Sequence, residues 1–149
     1  MEVAYKAQEY IRLQGLKCLY IDGIGIGAGV VDRLKEFNAP LKEVIVSSAA
    51  TEPMKYANMR TQLYGRMKEW LENGADIPQE DDILKQLSSI SYTYNTKMQL
   101  QLLGKKDIKK ILGVSPDITD SIALTFYEGV YTFAPRARAI PVKRRGIRI

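Results

Sequence analysis

One stretch constrains this chain more than any other. In KCLYIDGIGIGAGVVDRLKEF, residues 17–37, an apolar run ends in an acid, and glycines then occupy every second position until a helical pattern begins. A short, nearly all-apolar run such as KCLYID is the kind of strand that is buried on both faces of a parallel sheet. The segment AGVVDRLKEF follows, with Val30, Val31, Leu34 and Phe37 at helical spacing, and EVIVSS then reads as a second buried strand. Strand, helix and strand in that order imply a parallel pair joined by a right-handed crossover. The stretch therefore predicts an α/β fold.

Two functions compete for the glycines. A dinucleotide loop needs G-x-G-x-x-G and an acid about 20 residues further on. Gly23, Gly25 and Ala28 give a loose version of that spacing, but EVIVSS ends in serines where the acid belongs. A GxxxxGK[ST] phosphate loop is absent, and LLGKKD lacks both its upstream glycine and its hydroxyl. Asp22 is the better candidate. It closes a strand at the edge where α/β folds place their sites, and the glycines leave room beside its carboxylate. The plain alternative is that Asp22-Gly23 only makes a turn.

The remaining pattern fills out one domain over residues 1–134. Residues 2–14 read as a helix with Val3, Ala7, Tyr10 and Ile11 on one side. A long helix is predicted from Pro53 to Glu72 and a short acidic-started one over 77–90, where Glu80, Asp81 and Asp82 suit a helix start. A hairpin is predicted around Asn95-Thr96-Lys97, with Tyr92 and Tyr94 as packing residues, then a basic turn or short helix at 105–112. The last helix is SPDITDSIALTFYEGV, residues 115–130, with Ser115 as its cap and Pro116 in its first turn. No apolar run approaches the roughly 18 residues a membrane helix needs.

Composition narrows the chemistry. The 149 residues include no histidine and one cysteine. That excludes Ser-His-Asp and Cys-His catalysis and leaves no credible zinc site. The net charge of +5 lies in a tail: residues 135–149 carry Arg136, Arg138, Lys143, Arg144, Arg145 and Arg148 and no acid, so residues 1–134 sum to −1. Such a run either contacts nucleic acid or is simply solvated. Lys105, Lys106, Lys109 and Lys110 pose the same choice, phosphate contact or a solvated basic face.

In SPDITDSIALTF, Asp117 and Asp120 are three apart and share a helix face. Asp117 has a ready structural explanation in the helix dipole. Asp120 does not, because it enters a run of Ile122, Ala123, Leu124 and Phe126 where an acid must be paired, hydrogen-bonded or metal-bound. Asp22 with Asp120 suits Mg²⁺ or Mn²⁺, hard ions that take oxygen ligands and bridge to phosphate. Two such ions about 3.5–4 Å apart support phosphodiester cleavage.

The segments YIDGIGIGAGVVDRL, YANMRTQLYGRMKEWL, IPQEDDILKQL and KKDIKKILGVSPDITDSIALTF, together spanning roughly residues 16–127, resemble the nuclease domain of the large terminase subunit of tailed bacteriophages. The D-x-x-D helix alone is shared with Holliday-junction resolvases. The resemblance implies a ribonuclease H-like mixed sheet flanked by helices. It also implies two-metal endonuclease chemistry on concatemeric double-stranded DNA during genome packaging. Asp22 then matches the family's second acidic position and Asp120 its third, with Asp117 auxiliary. Asn58 and Arg60 match the family pattern too, or else only brace their helix, while Tyr64, Met67 and Trp70 read as core. Partners implied are an ATPase domain, a small subunit and a portal, in the cytoplasm of a bacterial host carrying a phage or prophage. The family's first acid lies on an opening strand before the helix at 2–14. The chain is therefore expected to be an N-terminally truncated domain, weak or inactive alone, with an exposed sheet that invites self-association. A non-catalytic DNA-binding or assembly module is the rival expectation.

Overall fold

The computed structural model describes residues 2–128. Six helices and four short strands run in the order α1 (Glu2–Gln14), β1 (Leu19–Asp22), α2 (Ile26–Glu36), β2 (Leu41–Val44), α3 (Met59–Glu72), α4 (Asp81–Ser89), β3 (Tyr92–Tyr94), β4 (Leu100–Leu102), α5 (Lys105–Leu112) and α6 (Asp117–Leu124). The strands form two small sheets, one parallel and one antiparallel, flanked by helices as expected. β1 and β2 pair in parallel, with Leu19 opposite Leu41 and Asp22 opposite Val44. β3 and β4 form the antiparallel hairpin, in which the Asn95 carboxamide accepts from Lys97 N–H at 2.9 Å and Gln99 N–H at 3.0 Å. Among the described residues, no helix is long and apolar enough to cross a membrane.

The glycine run works as a hinge between strand and helix. Gly25 caps α2 at φ 67°, a conformation that glycine adopts without strain. At Gly27 a side chain would collide with the carbonyl oxygen of Asp22, so α2 starts pressed against the end of β1.

Three of the boundaries that differ from the sequence pattern do so for a tertiary reason. The long helix begins at Met59, not Pro53, because residues 55–57 pair with β4: Leu100 N–H donates to Lys55 O at 2.8 Å and Ala57 N–H to Leu100 O at 2.9 Å. Asn58 then caps α3, accepting from Thr61 N–H at 2.9 Å. The second strand ends at Val44 because the carbonyls of Val46 and Ser48 instead accept from Arg60 and Met59 N–H, both at 2.9 Å. Pro116, not Ser115, occupies the cap position of α6 and offers no side-chain bond. The buried Gln86 of α4 supplies that cap, its Oε1 accepting from Ile118 N–H at 3.1 Å and Thr119 N–H at 3.2 Å.

The core lies between α3 and α6 at the end of β2. Val44, Met59, Leu63, Tyr64, Met67, Ala123 and Phe126 form it, and Trp70 meets Phe126 edge-on at 5.5 Å. The packing expected of Met67 and Tyr64 is thus present. Tyr92 and Tyr94, by contrast, are exposed, with their rings edge-on at 6.3 Å. In α1 the buried residue is Ala4, with Ala7 and Ile11 half-buried beside it, whereas Val3 and Tyr10 face solvent. Small Ala4 lets α1 lie close to α2, so the stripe turns one residue from the one read off the larger side chains.

Candidate active site

Three acids from two distant parts of the chain line one cleft of about 180 Å³. Asp22 arrives at the carboxyl end of β1, and Asp117 and Asp120 arrive on the first turn of α6. Arg60 and Tyr64 of α3 and Lys105 of α5 complete the polar wall. The parallel pairing of β1 with β2 fixes where Asp22 ends, and the packing of α6 on α3 fixes Asp120.

The acids are held in different ways. Asp22 is half-buried and anchored by its own turn, with Oδ1 accepting from Ile24 N–H at 3.2 Å. Asp117 is exposed. Asp120 is largely enclosed, its side chain 17% exposed. Its Oδ1 accepts from the Tyr64 hydroxyl at 2.7 Å and from Arg60 Nη2 at 3.1 Å and Nε at 3.3 Å. Its Oδ2 has no well-angled hydrogen bond, but the Lys105 ammonium stands 2.8 Å away as an ion pair. Burial alone pushes the Asp120 carboxyl up. Lys105, Arg60 and Tyr64 together outweigh that and hold it below the ordinary carboxylate value. Burial, then the Asp120 charge, pushes the Tyr64 phenol up, so it remains a protonated donor. Tyr64 also shares a hydrogen bond of 3.1 Å with Thr119 Oγ1, tying the carboxylate to the helix that carries it.

The donor type suits a hard divalent cation. The spacing is less generous, since among the described residues no group of three acids or other ligating side chains stands close enough to hold a metal ion. These residues fit such an ion only as a shared site, with further oxygens from a substrate and with Lys105 drawn off Asp120.

Of the four lysines singled out between residues 105 and 110, Lys105 alone lines the cleft. Lys106, Lys109 and Lys110 are exposed on α5, and Lys110 pairs with Asp107 at 3.1 Å. Arg136, Arg138, Lys143, Arg144 and Arg145, with the whole 135–149 tail, lie outside the described residues. The sequence pattern places Tyr64 only in the core and reads Arg60 either as a match to the family pattern or as a brace for its helix. Their i, i+4 spacing was the available signal, for it puts both on one face of α3, and the guanidinium lies 5.3 Å from the Tyr64 ring.

No family model matches the sequence, and no curated protein matches it either. Solved structures do resemble it. A lysine-to-alanine variant of the nuclease domain of the large terminase subunit gp2 of bacterial virus Sf6, determined with manganese and beta-thujaplicinol, superposes with a TM-score of 0.70 at 19% identity, covering 83% of this chain and 70% of that one. The same variant with calcium gives 0.69 at 19% identity over 81% of this chain and 69% of that one. The nuclease domain itself gives 0.67 at 19% identity over the same shares. The chain thus shares its fold with these terminase nuclease domains.

Proposed function

We propose that this chain is a metal-dependent endonuclease acting on double-stranded DNA during viral genome packaging, with Asp22, Asp117 and Asp120 as its reactive carboxylates. The observation that carries this reading is the convergence of those three acids on one cleft, in a fold shared with a terminase nuclease domain that was determined with manganese. The carboxylates would hold Mg²⁺ or Mn²⁺ jointly with phosphate oxygens of the DNA. Such an ion, when bound, polarises the phosphodiester and makes water a better nucleophile near neutral pH.

The chain's own residues prepare that site. Arg60, only 12% exposed, and Tyr64 keep Asp120 ionised and aimed into the cleft. Lys105 is half-exposed, so it is free to turn from Asp120 to a phosphate once the carboxylate finds another cation. Asp22, fixed through one oxygen by its turn, lines the same cleft. Cleavage by this chain alone is expected to be slow, because its central carboxylate begins engaged with cations of the protein. An ATPase domain, a small subunit and a portal would be its working partners, and self-association through the two-stranded sheet would cover the strand edges.

Incubating the purified chain with supercoiled plasmid and Mn²⁺ beside an Asp120→Asn variant tests the proposal. Nicked or linear product from the parent alone is the expected result. Equal cutting by both proteins would sink it.

The occupied state of Asp120 favours one second reading, a DNA-binding or assembly module without chemistry. That module would retain DNA without metal, lose it steeply as salt rises, and lose it again on deletion of residues 135–149.

A further inference from the structure

We propose that a second groove, opening off the acid cleft, is a subsite for the DNA backbone next to the phosphate being cut; this rests on the nuclease reading above. The groove holds about 300 Å³ and shares Val46, Arg60 and Lys105 with the acid cleft, so the two form one trough. Its charge is the reverse of its neighbour's. Three acids line the cleft, and none lines the groove.

The groove offers donors from three separate elements. Asn58 Oδ1 is occupied by Thr61 N–H and Thr61 Oγ1, both at 2.9 Å, which leaves its amide nitrogen as the open half. Gln101 sits mid-strand in β4, and no hydrogen bond engages its carboxamide among the described residues. Lys105 provides a mobile charge at the junction, while Arg60 is a fixed wall, its Nη1 donating to Leu103 O at 3.3 Å. Two amides and an ammonium with no carboxylate among them suit a phosphodiester oxygen. Gln101 is thereby a positioning residue for DNA, contributing no metal contact.

Anisotropy of a fluorescein-labelled 20-base-pair duplex, titrated with the full chain without divalent metal at several NaCl concentrations, tests this. Gln101→Ala should weaken binding about tenfold, as expected for one lost hydrogen bond to a charged group. The salt slope should stay unchanged, because a neutral side chain releases no counterion. Lys105→Ala should instead flatten the log–log slope by about 0.9. Gln101→Glu, which puts an acid into the groove, should weaken binding more than about tenfold relative to Gln8→Glu, a charge-matched change on exposed α1. Circular dichroism confirms folding, and Gln101→Ala carries the test if the charged variant unfolds. Gln101 variants that bind like Gln8→Glu would overturn the subsite while leaving the nuclease reading intact. A parent chain that ignores the duplex even at low salt would overturn both.

Discussion

Asp22 and Asp120 face the same cleft, yet the chain holds them by opposite means. Asp22 depends on local backbone: a strand end, a bond from Ile24 N–H, and glycines that bring α2 against it. Asp120 depends on tertiary structure, its carboxylate gripped by side chains from α3 and α5. A residue set by its own turn is replaceable without much loss of stability. One embedded in a charge network ties stability to function, since removing it leaves Arg60 facing no counter-charge.

That contrast is open to attack in order of effect. Asp120→Asn should weaken divalent binding and cost about 2 kcal/mol in urea unfolding, discounted from a fully buried pair because Lys105 is half-exposed. Its pH signature has a definite sign. The folded carboxyl lies below its unfolded value of about 3.9, so its contribution is present above that value and vanishes as pH falls through the folded one. The gap between parent and variant should therefore close in acid and be full at pH 6. Tyr64→Phe should cost about 1.5 kcal/mol by the same assay, through loss of one bond to a carboxylate with the ring still packed. Lys105→Ala should cost under about 1 kcal/mol, and Mn²⁺ titration should then show tighter binding, since a competing cation is gone. Asp22→Asn should stay within about 0.5 kcal/mol of the parent while weakening Mn²⁺ binding; a large stability loss there would erase the distinction.

Much of this was legible in the sequence, for physical reasons that also mark where legibility stopped. Helix periodicity and cap chemistry located α1, α2, α4 and the hairpin turn at Asn95, because those signals are local. Asp22 and Asp120 stood out as an acid at a strand end and an acid in an apolar run. The start of α3 was not legible, since residues 55–57 are taken by β4 from some 40 residues away. The cap of α6 by Gln86 was equally hidden, because a glutamine's partner on another helix leaves no local trace. Tyr64 looked apolar by spacing, and only the fold shows its hydroxyl on Asp120.

The proposed function requires that Asp22 and Asp120, far apart in sequence, share a cation. Isothermal titration of Mn²⁺ into the parent, Asp22→Asn and Asp120→Asn chains, with a short non-cleavable DNA duplex present, tests it most directly. Binding in the parent that weakens in both variants is the predicted result. Binding that survives unchanged in either variant would contradict a shared site.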